Sequence, residues 1–347
     1  MFLDIDVFSN HYIIIMPNYK LPYKEQTPKD IIDVADSCFQ LNDDYYGTYP
    51  KGAREKQIYQ NLCFPKEFLI QPRKSGTNTY YHNYLYKLSN RRYPEQFWIE
   101  IFAYRFGCLI GIEVPPAFVA INTKSTEVEN SSGAFIEWMY DPLLRTYKEA
   151  GDLFVDLEGD FDVEKGTTHN FLSSVSLLEK YKNDEKFKFI GDSDEFWVNM
   201  FIFDALIGNT DRHQNNWALL YSNDEIKQIK GAPYFDNGTS MGHEILNYKI
   251  DSVDIITYIS KGRPHMRWAL GENRITFCDF IKRLLDRMPH KKQKMLDNVN
   301  FSINDVRFIL QELQDFDIPT KLTLERATFM VELIKARQDS LIQLIDR

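Results

Sequence analysis

Near residue 141 the chain changes its periodicity, and that change restricts its fold more than any other feature. Upstream, short alternating segments at 5–16, 68–71, 84–88, 114–121 and 134–140 read as strands, bounded by polar and glycine-bearing turns. Two helical patterns interrupt them. Thr27-Pro28 supplies an N-cap and a favoured first helical residue for a short helix over 29–39. Pro94 opens a longer helix that puts Phe97, Ile101, Tyr104 and Cys108 on one stripe and stops at Gly111. Downstream, helical patterns dominate at 171–181, 193–207, 277–288, 303–316 and 324–345, with a lone β-hairpin over 217–221 and 226–229 turned by Ser222-Asn223-Asp224. The expected fold is α+β and two-lobed, a strand-rich lobe over 1–140 and a helical lobe over 141–347, with a cleft where they meet.

Composition narrows the function classes. The chain has 347 residues, 44% of them hydrophobic, enough to give both parts a core. Its formal charge of −9 argues against nucleic acid and anionic membranes as partners. Cys38, Cys63, Cys108 and Cys278 lack the spacing of a zinc or redox site and fit reduced thiols in the cytoplasm. Asp4 and Asp6 stand where a signal peptide would be positive, and no apolar run approaches the ~18 residues of a membrane span.

The chemistry concentrates downstream of Gly208, where a polar loop, Asn209-Thr210-Asp211-Arg212-His213-Gln214-Asn215-Asn216, joins an apolar helix to the hairpin. Loops held between buried elements commonly carry function. The hairpin returns the chain to Phe235-Asp236-Asn237-Gly238, which brings Asp236 back beside Asn216. Two carboxylates, Asp211 and Asp236, and the amide oxygen of Asn216 suit a hard divalent cation such as magnesium, which takes one or two carboxylates plus phosphate oxygens and waters. Phosphoryl transfer needs this set: one aspartate to align the attacking hydroxyl, an asparagine and an aspartate to hold metal. His213 is expected to brace the loop, and Arg212 to brace it or to bind phosphate. The stretch 261–267, Lys-Gly-Arg-Pro-His-Met-Arg, is a basic cluster suited to an acidic or phosphorylated group.

The runs GNTDRHQNNWALL and APYFDNGTSMG resemble the catalytic and metal-binding segments of the HipA-like serine/threonine kinases, most closely their short CtkA-type members. The family's DRHxxN pattern falls on Asp211-Arg212-His213 and Asn216, and its later metal aspartate on Asp236. The resemblance, over roughly 49–316, implies a protein-kinase-like fold of the HipA and phosphatidylinositol-kinase type. It implies a phosphate loop at Gly52, Ala53 and Lys56, an ATP-binding Lys87 paired with Glu100, and a hinge whose backbone at Glu137 and Met139 meets adenine. Where some members carry a regulatory serine, this chain has Gly47-Thr48-Tyr49-Pro50. ATP and Mg2+ as cofactors, a protein substrate, an antitoxin-like regulatory partner, and action as a cytoplasmic toxin or a delivered effector are further implications. The rival expectations are a small-molecule or lipid kinase and a non-catalytic nucleotide-binding scaffold.

Overall fold

A computed structural model describes residues 17–42, 55–62, 82–128, 131–140 and 144–347. Strands expected at 5–16 and 68–71, and the phosphate-loop residues Gly52 and Ala53, lie outside the described residues.

Six strands build a first sheet: β1 (Ile32–Asp33), β2 (Phe39–Leu41), β3 (Lys56–Asn61), β4 (His82–Leu88), β5 (Ala117–Ile121) and β6 (Ser132–Glu137), in the order β1-β5-β6-β4-β3-β2. Only the β1–β5 pair is parallel. Between β4 and β5 runs α1 (Gln96–Ile110), which ends at Gly111 in the left-handed conformation. All fifteen of its residues are buried. That follows from its near-continuous apolar sequence and its position between β5 and β6 on one side and later helices on the other.

The segment 29–39 is not helical. Thr27 does make a turn-type contact, its hydroxyl donating to Asp30 at 2.6 Å. The chain then pairs with a strand: Ile32 and Asp33 align with Ala120 and Ile121, and the Val34 N–H continues to the Ile121 carbonyl at 2.9 Å. The side chains of Asp33 and Asp36 accept from the N–H groups of Ala35 and Cys38, local turns that compete with helix.

A second sheet has the order β7-β9-β10-β8, from β7 (Arg145–Glu149), β8 (Phe187–Phe189), β9 (Ala218–Ser222) and β10 (Lys227–Gly231). The hairpin is therefore not alone. It forms the centre of this sheet, with β7 antiparallel to β9 and β8 parallel to β10. Helices α2 (Ala150–Glu158), α3 (Phe171–Lys182) and α4 (Ser193–Ile207) belong to the same half of the chain. They are followed by α5 (Ile255–Ser260), α6 (Phe277–Arg287), α7 (Lys292–Val299), α8 (Ile303–Gln314) and α9 (Leu324–Asp346). α4 begins with the Asp192 side chain accepting two N–H groups and stops at Gly208, where φ is 68°. Its burial fixes the point from which the polar loop departs.

Candidate active site

A cleft opens under the first sheet, with Leu85, Ala117 and Ile136 above and Met139, Tyr147 and Phe235 below. Lys56 and Lys87 face each other across β3 and β4, in register, and both line the cleft. Like charges placed opposite are unfavourable unless an anion lies between them.

Lys87 is 3% exposed and is held between two carboxylates, Glu100 at 2.7 Å and Asp236 at 2.6 Å. Glu100 also accepts from the backbone N–H groups of Asn237 (3.0 Å) and Gly238 (3.1 Å), and Gln96, one turn earlier on α1, donates to the Gly238 carbonyl. α1 thus grips the Asp236-Asn237-Gly238 segment. Asp236 itself has φ of 57°, a left-handed conformation that short polar residues tolerate better than most. The turn aims its carboxylate at Lys87.

The loop after α4 is joined to the same segment through Arg212, which is fully buried. Its guanidinium donates to both oxygens of Asp204 on α4 (2.7 and 3.0 Å), to the Asn216 carbonyl (2.9 Å), to the Phe235 carbonyl, and to Oδ1 of Asn237 (2.8 Å). Burial opposes the charge on Arg212, and Asp204 more than reverses this, so the pKa is raised. One cation ties three separate stretches of chain. The sequence expectation that Arg212 braces the loop agrees with this geometry.

Further bonds set the loop's interior. The Asp211 N–H donates to Asn209 Oδ1 at 3.0 Å, and the Asn216 side-chain amide donates to the Asp211 carbonyl at 2.7 Å. That bond occupies one of the two N–H donors of the Asn216 amide and orients the group, whose oxygen can only accept. His213 Nδ1 accepts from the Asn215 N–H at 3.1 Å. Burial pushes His213 below its ordinary pKa, while the carboxylates of Asp211 and Asp236 both pull it back. Two carboxylates distant in sequence thus act on one imidazole.

Among the described residues no group of three or more His, Cys, Asp or Glu side chains could hold a metal unaided. The oxygens on offer are the Asp236 carboxylate and the Asn216 amide. Hard donors in that number fit Mg2+ completed by phosphate and water rather than a protein-caged ion.

At the expected hinge, Glu137 and Met139 both line the cleft. The Glu137 N–H donates to the Pro116 carbonyl at 2.8 Å. Pro116 has no N–H to return, so the β5–β6 ladder ends at this pair.

Sequence reasoning did not single out Tyr147 and Glu149, on β7. Tyr147 stacks on Tyr140 (centroids 5.7 Å apart), meets Phe235 edge-on, and donates its hydroxyl to Glu149 at 3.3 Å. The five residues of β7, Arg-Thr-Tyr-Lys-Glu, carry no alternation that would mark a strand. Burial pushes Glu149 up to about 7, with Lys56 pulling the other way. A carboxyl with a folded pKa above its unfolded 4.5 binds its proton more tightly in the folded state. Folding stability therefore falls as pH rises from about 4.5 to about 7 and is level above that. At ~1.36 kcal/mol per unit the ceiling is roughly 3 kcal/mol. Glu149→Gln is expected to raise the melting temperature relative to wild type at about pH 8 and to leave it unchanged at about pH 4.5. Thermal melts at the two pH values check this, and a pH-independent difference rejects it.

No protein-family model and no curated protein matches the sequence. Solved structures do. The proinflammatory kinase CtkA of Helicobacter pylori matches with a TM-score of 0.64 and 16% identity, over 91% of this chain and 96% of that one. HipA of Shewanella oneidensis MR-1, from a toxin–antitoxin complex with HipB and operator DNA, matches with a TM-score of 0.45 and 12% identity, over 82% and 69%. The chain therefore has the two-lobed α+β fold seen in the CtkA kinase along nearly its whole length.

Proposed function

We propose that the chain is an ATP- and magnesium-dependent protein serine/threonine kinase of HipA-like type, its first lobe spanning 1–140 and its second 141–347. The observation that carries the reading is Lys87, buried between Glu100 and Asp236 at the back of the cleft. A lysine–glutamate pair that presents an ammonium to nucleotide phosphates, beside an aspartate for the metal, is what phosphoryl transfer on this fold requires. Glu137 and Met139 would meet adenine through their backbone, and Lys56, with Gly52 and Ala53 before it, would approach the phosphates. Asn216 and Asp236 would hold Mg2+, whose contribution is to neutralise charge on the transferred phosphate. Asp211 would accept the hydrogen bond of the acceptor hydroxyl and align it for in-line attack. Lys87 orients the donor, Glu100 keeps Lys87 in place, and α1 couples both to Asp236. Positioning and charge neutralisation supply most of the catalysis in such reactions.

A protein as the acceptor rests on the resemblance of the runs GNTDRHQNNWALL and APYFDNGTSMG to the HipA-like serine/threonine kinases. Incubation with γ-labelled ATP, Mg2+ and a cell lysate is expected to label protein bands with the wild type and none above background with Asp236→Ala. Equal labelling by the two proteins rejects the site. ATP binding with no transfer at all, autophosphorylation included, would establish the scaffold reading instead.

A further inference from the structure

On the second lobe, away from the nucleotide cleft and sharing no lining residue with it, lies a cavity of ≈ 480 Å³. Its walls come from the end of α4, from α5 and the turn after it, from the start of α6, and from α9. At its base is Arg337, 8% exposed. Among the described residues this guanidinium makes one long hydrogen bond, 3.4 Å to the Leu206 carbonyl, and no carboxylate comes within ion-pair distance of it. Burial pulls its pKa down to about 10, so it remains a cation at neutral pH. Tyr258 and Glu244 offset that burial only in part, and a buried charge so compensated is costly.

The rest of the lining explains what would offset that cost. Lys261 and Arg263, from the basic cluster that the nucleotide site does not use, stand exposed at the same cavity. The one acidic lining residue, Glu244, already accepts the Tyr258 hydroxyl at 2.6 Å. Three cations against one carboxylate leave a surplus of two positive charges, on a chain whose formal charge is −9. Thr210 adds a hydroxyl, while those of Ser260 and Ser340 already donate to the Thr257 and Ala336 carbonyls; Ile256 and Leu341 add an apolar wall. Gly208 completes the fit. Its φ of 68° already favours glycine, and a Cβ there would come within 2.1 Å of the Arg337 guanidinium.

The geometry points to a second ligand site here, taking a phosphate monoester whose dianion is received by Arg337, Lys261 and Arg263. A dianion matches the charge surplus, and its three terminal oxygens match the guanidinium and ammonium donors of Arg337, Arg263 and Lys261. A single carboxylate would leave one positive charge uncompensated. The cavity volume accommodates a small organic ester in addition to the phosphate. Thr210 lines the cavity and immediately precedes Asp211, so a bound ligand would sit against the base of the loop that carries the proposed catalytic residues. The inference rests on the cavity and does not require the kinase reading.

The test uses the full chain carrying Lys87→Ala, which removes the main phosphate-binding group of the nucleotide cleft. Inorganic phosphate is titrated against it at constant ionic strength, by calorimetry or 31P NMR. Saturable binding of one equivalent is expected, weakened at least tenfold by Lys261→Gln with Arg263→Gln, and likewise by Arg337→Gln. Since Arg337→Gln alters a buried site, the exposed Lys261/Arg263 double variant is the deciding one. No saturable binding, or binding that the double variant leaves unchanged, overturns the proposal.

Discussion

Asp211→Asn is expected to slow phosphoryl transfer by about 10²–10⁴-fold, the usual cost of removing a positioned base, with folding and nucleotide affinity close to wild type. The backbone of Asp211 is fixed by Asn209, His213 and Asn216, through contacts that do not depend on a carboxylate side chain. Its side chain takes no part in the Arg212 clamp or the Lys87 bridge. Asparagine keeps the shape and loses the basicity. The loss should therefore appear in the single-turnover rate at saturating ATP and not in the dissociation constant for the nucleotide. Asp236→Ala is expected to lose both the transfer rate and nucleotide affinity, because it removes a proposed metal ligand and one of the two partners of Lys87. If Asp211→Asn transfers phosphate at the wild-type rate, the aligning role is wrong. If it loses nucleotide affinity instead, Asp211 belongs with the metal rather than the hydroxyl.

How far the sequence revealed these arrangements depended on how local each signal was. Helix α4 is marked by a largely apolar helical run and a glycine stop, both local, and the structure places it over 193–207 as expected. The polar loop and the hairpin after it are similarly local. The pairing of Lys87 with Glu100, thirteen residues apart, came from the family resemblance, and the structure brings the two within 2.7 Å. Residues 29–39 failed because a valid N-terminal helix signal, Thr-Pro, is local, whereas the competing partner, β5, lies some ninety residues downstream. The strand β7 and its Glu149 were invisible for a related reason: a polar five-residue segment with Tyr147 as its one apolar residue becomes a strand only because β9 is there to pair with it. Arg337 is the extreme case. In sequence it is one of many basic residues on a long helix, and only the packing of α9 against α4 and α5 leaves it buried beside a cavity.

The Arg212 clamp yields the second large effect, and it separates stability from function. Arg212→Met removes the partner of a carboxylate that is itself 1% exposed, and strips donors from two buried carbonyls. Breaking a buried ion pair from one side costs about 3–5 kcal/mol, a fall in melting temperature on the order of 5 °C for a chain of this size. Adding Asp204→Leu removes the stranded charge, and most of that stability is expected to return, apart from roughly 1–3 kcal/mol for the carbonyls left without donors. Transfer activity is expected to stay at background in both variants. Nothing in the double variant restores the tie from Asn216 to Phe235 and Asn237, and a metal pair held about an ångström out of place is enough to lose two orders of magnitude in rate. Melting curves and single-turnover transfer on the same preparations decide the matter. Activity that recovers together with stability would mean the clamp only fills the core; recovery of stability alone assigns Arg212 to holding Asn216 and Asp236 in register.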